Sequence, residues 1–196
     1  REVHEYADKI KWLGDVGSKC LYIVVNPNGR VQNDHDLQTV RNPEAKMALV
    51  TDDIGTQTTW NYIEASDTTY HKVKTVLFPF AEALASLKRG EVDALAFVLD
   101  PKKATEMLDS DYYGRDVTRF ELVKENELAF MDFTDWLPFH KVPDVGAIYD
   151  WQKVPYHHPY RYWYSKVKTL CTKDSVLVNR AQYEADPILR AQVSNL

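Results

Sequence analysis

Apolar residues fall along this chain in short blocks of two periods, and the blocks alternate between strand-like and helix-like spacing. Val3, Tyr6, Ile10 and Leu13 recur at helical intervals, so residues 3 to 14 read as a short helix that Gly14 would end. CLYIVVN at 20–26 is rich in β-branched and aromatic residues and is followed by PNG, so a buried strand and a turn are predicted. After a polar stretch with Asp34, Asp36 and Leu37, KMALV at 46–50 predicts a strand that ends in the polar loop TDDIGTQTT. A helix should begin in that loop and run through Trp60, Ile63 and Ala65 to about Ser66.

The next stretch repeats the order. VKTVLF at 73–78 predicts a strand, Pro79 suits a helix start, Phe80, Leu84 and Leu87 keep helical spacing, and Gly90 suits a helix end. VDALAFVLD at 92–100 is a nearly continuous apolar strand, Pro101 restarts the chain, and KKATEMLDS reads as a short helix. Three alternations of strand and helix predict an α/β fold with a mostly parallel sheet and helices on its faces. Beyond about residue 118, FELVKEN and ELAFMDF read as short strands, and 136–164 as a long loop crowded with Pro, His, Trp and Tyr. VKTLCTKDSVLVNR then reads as a strand or paired strands, and AQYEADPILRAQV as a helix interrupted near Pro187.

Composition narrows the function classes. The 196 residues are 44% hydrophobic and 27% charged, which is ordinary for a globular protein, and no apolar run approaches the ~20 residues of a membrane helix. A formal net charge of −5 argues against a broad phosphate-binding surface, and so against nucleic acid as partner. The six histidines show no metal-ligand spacing, and no nucleophile elbow, phosphate loop or dinucleotide fingerprint occurs. No metal, no cofactor and no catalytic residue is therefore expected.

The order of features from Cys20 to Pro101 resembles the second lobe of type 2 periplasmic solute-binding proteins. The matching residues are CLYIVVN, then Asp36 and Leu37, then MALVTDDIGTQTTW, VKTVLFP and EALASLKRGEVDALAFVLDP. The later VKTLCTKDSVLVN, preceded by a Tyr-rich loop, is similar to the C-terminal part of TAXI-type receptors, one branch of the ABC and TRAP substrate-binding proteins. The resemblance implies two lobes joined by hinge strands, with 42–128 as a central α/β lobe and 1–41 plus 129–196 as a smaller, discontinuous one. It implies capture of a small polar or anionic solute in the interlobe cleft, without turnover, in the periplasm or as a secreted protein. The solute would be a carboxylate, amino acid or oxyanion, and the protein partner a membrane permease or sensor. The chain is shorter than most complete receptors of that kind, so a truncated receptor, a processed fragment or a reduced relative is expected.

The loop after the second strand is the first candidate site. Asp53, Gly55, Thr56, Gln57 and Thr58 stand at a helix start, where N–H groups without helical partners and the macrodipole favour an acceptor group; ordinary helix capping by Asp or Thr accounts for the same residues without a ligand. Asp100 follows the third strand of the sheet and should surface at the same carboxyl edge, or simply cap the next helix ahead of Pro101. Arg161, within YHHPYRYWY, offers a guanidinium for a carboxylate, against the alternative that this aromatic segment is packing. Asp93 reads as structural, bonded to nearby backbone. Cys20 lies in the hinge-like strand and Cys171 in a late strand that would return beside it in this fold, giving either a disulfide or two buried thiols. Two other functions fit the scaffold: an enzyme, which would gather titratable groups in the cleft, and a sensory or interaction domain with the cleft closed.

Overall fold

The computed structural model describes residues 8–38, 41–70, 73–101, 119–134, 149–157 and 164–193. Among them are seven strands: β1 Ile10–Val25, β2 Lys46–Val50, β3 Lys74–Phe78, β4 Ala94–Leu99, β5 Ala129–Met131, β6 Tyr149–His157 and β7 Tyr164–Asn179. The helices are α1 Ile54–Ser66, α2 Phe80–Lys88, α3 Arg119–Glu125, α4 Arg180–Ala185 and α5 Pro187–Val193. The strands form one open sheet in the order β3-β2-β4-β1-β7-β6, with β5 also on β1, and the protein is an α/β fold with helices flanking that sheet.

Strand register shows why the sheet carries two cores. β2 pairs in parallel with β3 and with β4, whereas β1 runs antiparallel to β4 with Tyr22 opposite Phe97. Side chains alternate across the pleat. Cys20, Tyr22, Val24, Leu95, Phe97 and Leu99 therefore enter one core, with α2 and α3, and Leu21, Ile23, Val25, Ala96 and Val98 enter the other, with Trp60 and Ile63 of α1. Strands buried on both faces need continuous apolar runs, and β1 from Cys20 to Val25 and all of β4 are buried at every position. Tyr22 stacks on Phe97 at 5.3 Å between centroids and meets Phe120 edge-on at 5.3 Å, so the first core is largely aromatic.

Several local expectations change. Residues 10–13 belong to β1 instead of a helix, because pairing with β7 overrides a short helical spacing; residues 3–7 lie outside the described residues. FELVKEN forms α3, since Phe120 and Val123 are buried together one helical turn apart while Glu121 and Lys124 face out. Part of the supposed 136–164 loop is β6, paired with β7 from Tyr149↔Thr172 to His157↔Tyr164. The sheet is mixed, since β1, β6 and β7 bring antiparallel pairs to the parallel β3-β2-β4 set. α1 ends at Ser66 as read, α2 begins after Pro79, Gly90 takes φ +73 beyond its end, and Asp186 divides α4 from α5 just before Pro187.

The described residues divide into two units. The central unit, Lys19–Thr172, holds both cores and takes in 19–41 and 129–172 together with the 42–128 stretch. In it Cys20 and Cys171, 151 residues apart, form a disulfide with Cα atoms 4.0 Å apart. Closing a loop of that span removes roughly 5 kcal/mol from the unfolded chain in the chain-entropy view. The end unit, Arg1–Ser18 with Lys173–Leu196, contains the outer parts of β1 and β7 followed by α4 and α5.

Asp93 is structural. Its carboxylate accepts from Arg30 Nε at 3.1 Å, Arg30 Nη2 at 2.6 Å and the Lys46 backbone N–H at 2.9 Å, locking the starts of β2 and β4 together. Arg30 is half exposed and also donates to the Glu44 carbonyl at 3.0 Å, so its ion pair contributes little, whereas loss of Asp93 takes the acceptor from the part-buried Lys46 N–H. Asp93→Ala is expected to cost about 1–3 kcal/mol in urea unfolding and Arg30→Ala under about 1 kcal/mol. Equal costs would show that the ion pair, and not the backbone bond, carries the effect.

Candidate functional site

The site follows from how β2 ends. β2 stops at Val50 while its neighbour β4 continues to Leu99, so the upper part of β4 has no strand ladder on that side. The chain after β2 turns into α1, whose Trp60 and Ile63 pack on one face of the sheet. Phe120 and Val123 of α3 pack on the other. Open α/β sheets commonly bind ligands at the carboxyl ends of their strands, which makes the ends of β2 and β4 the candidate place.

Thr56 closes the gap beside β4. Its side chain is fully buried and Oγ1 accepts the Val98 backbone N–H at 2.9 Å, standing in for the missing ladder partner. Gly55 lies against the same residue: a Cβ there would meet Val98 Cγ1 at 3.2 Å, closer than most side chains tolerate. Both residues therefore set how tightly the start of α1 sits on β4. Gln57 and Thr58 are exposed on the first turn of α1.

The two aspartates of the loop do different work. Asp52 Oδ2 accepts the Phe80 N–H at 2.7 Å and so caps α2, whose N-cap residue is Pro79 and has no side-chain acceptor to offer. Asp53 is the N-cap residue of α1 but makes no side-chain cap bond. Its carboxylate takes instead a 2.5 Å bond from Arg119 Nη1, while Nη2 of the same guanidinium lies 3.9 Å from Asp52. Arg119 is 5% exposed, and its guanidinium lies over the rings of Phe80 at 4.6 Å and Phe97 at 5.3 Å. This arginine was missed in the sequence reading; the legible signal was a pair of adjacent carboxylates after an apolar strand, which calls for a cation.

Burial raises the Asp53 pKa above the ordinary carboxylate value, outweighing the Arg119 charge and hydrogen bond that pull it down. Asp100 is half-buried just beyond β4, and its charge adds to burial in raising the Tyr22 pKa, so the phenol stays protonated. Tyr22 is fully buried, and its hydroxyl has no hydrogen-bond partner among the described residues. At the first turn of α1 Asp53 and Arg119 thus form a direct ion pair with Asp52 beside them, while Asp100 follows the end of β4. Arg161 lies outside the described residues. No group of three or more metal-ligating side chains occurs among the described residues, and no helix among them is long and apolar enough to cross a membrane. A hollow of about 330 Å³ in the end unit is lined by Asp8, Lys9, Asn179, Arg180, Ala181 and Glu184, all exposed, and brings in no residue of the strand-end cluster.

No family model matches the sequence, and no curated protein matches it. Among solved structures, holo ArgBP from T. maritima is similar at TM-score 0.43 and 15% identity over 97% of this chain and 58% of that one. The cysteine-binding protein from Campylobacter jejuni gives 0.41 and 11% identity over 97% of this chain and 51% of that one. The substrate binding protein of an amino acid ABC transporter gives 0.42 and 11% identity over 98% and 59%. The chain thus spans between half and three fifths of the length of these structures. These likenesses assign the chain to no family.

Thr56→Val keeps the shape but removes the acceptor from Val98 N–H, and is expected to cost about 1–3 kcal/mol in urea unfolding, against under about 0.5 kcal/mol for exposed Thr58→Ala. Asp53 yields a pH test. A carboxyl whose folded pKa is raised contributes most stability when protonated, below its unfolded value near pH ~4, and loses it as pH rises through the folded value. Asp53→Asn should abolish that decline, measured as unfolding free energy against pH from about 4 upward; a variant that tracks the wild type would place the titration elsewhere.

Proposed function

We propose that the protein is a solute-binding domain of the type 2 periplasmic receptor kind, which holds a small polar solute at the carboxyl ends of β2 and β4 and does not transform it. The observation that carries this reading is the ending of β2 and β4 side by side, with the first turn of α1 and the Asp52, Asp53 and Arg119 cluster at those ends. In this reading Gln57, Thr58 and the first N–H groups of α1 meet the solute, Asp53 and Asp100 flank it, and Gly55 and Thr56 set the height of the helix start. Arg119 is neutralised by Asp53 and stacked on two rings, so it acts on the solute by fixing the loop. Arg161 keeps its place as a second carboxylate-binding candidate from the aromatic segment.

The solute class that fits is an amino acid, a small carboxylate or an oxyanion: a helix start supplies donors to a carboxylate or oxyanion, and neighbouring aspartates supply acceptors to an ammonium. The interlobe cleft expected from the resemblance belongs to this proposal, with the strand-end cluster as one wall of it. So do a permease or sensor partner, a TAXI-like affiliation and a periplasmic or secreted location.

A thermal-shift screen of amino acids, small carboxylates and oxyanions tests the reading. A solute that binds only the folded protein adds about 2.7 kcal/mol of stability at a hundredfold excess over Kd. With such a solute in hand, Gln57→Ala combined with Thr58→Ala should weaken affinity about tenfold, one good hydrogen bond's worth, while the unliganded melting temperature stays put. A screen without any shift, or a solute whose affinity ignores both substitutions, sinks the placement of the site.

A further inference from the structure

We infer that the Cys20–Cys171 disulfide is the clasp on which order in the end unit depends: breaking it releases residues 10–18 and 173–193 while the central unit stays folded. This inference is independent of the solute-binding reading. It begins from burial. Cys20 and Cys171 are 0% and 1% exposed, and moving outward from them along β1 and β7 no further residue is buried among those described. The disulfide is therefore the last buried pair before both strands pass out of the central unit, whose limits are Lys19 and Thr172.

Inward of the clasp β7 is held several times over. Val167 and Leu170 are buried, the Thr169 hydroxyl donates to the Leu21 carbonyl, Phe133 N–H donates to Lys168 O at 3.0 Å, and Lys168 N–H donates to Asp132 Oδ1 at 2.6 Å. Outward of it the following ties lie at the surface. Ser175 Oγ donates to Asp15 Oδ1 at 2.6 Å and holds that carboxyl below its usual pKa, Lys173 stands 3.7 Å from Asp15, and Lys11 lies over the Tyr183 ring at 4.5 Å. The Arg180 N–H donates to Lys9 O at 2.8 Å. Exposed ties of this kind contribute little each, a two-stranded ribbon alone is marginal in water, and helices of six and seven residues do not stand by themselves. Ile10, Trp12, Val16, Leu177 and Ile188 are between 38% and 70% exposed, so the end unit gains little from its own apolar side chains. Its order comes through the two strands that the disulfide binds together.

Hydrogen exchange of the full chain tests this in two arms. In the first, Cys20→Ala and Cys171→Ala are combined. In the second, a dithiol reductant is oxidised to its cyclic disulfide as the Cys20–Cys171 bond takes up two electrons and two protons to give two thiols, which leaves both sulfurs in the core. Peptides from 10–18 and 173–179 are expected to exchange about tenfold faster or more and to approach the rate of an unfolded chain, whereas 46–50 and 94–99, which lose the restriction the cross-link places on the unfolded chain, quicken but stay about a hundredfold or more slower than an unfolded chain. The reduced wild type decides if the alanine variant does not fold, because it loses the bond without losing packing volume. Exchange of 10–18 and 173–179 that is unaltered in the reduced protein, or protection in 46–50 and 94–99 that falls to the same level as in the end unit, overturns the inference.

Discussion

A parallel strand that ends before its neighbour leaves backbone N–H groups without ladder partners, and this protein is organised around one such ending. β2 stops at Val50 and β4 goes on to Leu99. The Thr56 hydroxyl takes the Val98 N–H, so the first turn of α1 replaces a strand as the partner of β4. Seating a helix start there requires Gly55 against Val98 and gives the preceding two aspartates fixed positions. Asp52 then caps α2 and Asp53 meets Arg119, so one short loop ties helices on both faces of the sheet to the strand ends.

The Arg119 position illustrates how a buried charge is made tolerable. A guanidinium 5% exposed carries a heavy desolvation penalty, reduced here by a direct carboxylate bond and by the faces of Phe80 and Phe97. Burial nevertheless dominates at Asp53, whose pKa is raised in spite of its cationic neighbour. The same cluster therefore serves structure and leaves a polar rim at the place where α/β sheets receive ligands.

Much of the central unit was legible because its segments are locally consistent. β2, β4, α1 and α2 carry apolar runs or stripes bounded by Pro79, Gly90 and polar turns, and local and tertiary preferences agree there. The outer part of β1 was not legible: Gly14, Gly17 and Ser18 break the alternation that marks a strand, and Gly14 takes φ +152, so only β7 reveals it. α3 was hidden because Phe120, Leu122 and Val123 suit either period in so short a run. At the candidate site, the helix start was legible from turn chemistry, but the contact of the Thr56 hydroxyl with β4 was not, and Arg119 is joined to Asp53 across 66 residues that no local pattern spans.

The alternation of β1 between two cores has a further consequence. Tyr22 belongs among Phe97, Phe120 and Phe130, while Ile23, one residue on, belongs with Trp60 and Met131. Inserting a single amino acid ahead of Tyr22 would turn the phenol toward tryptophan and the isoleucine toward the phenylalanines, exchanging contents that neither side has volume to accept. Evolution can thus change individual side chains in this strand more readily than it can change its length.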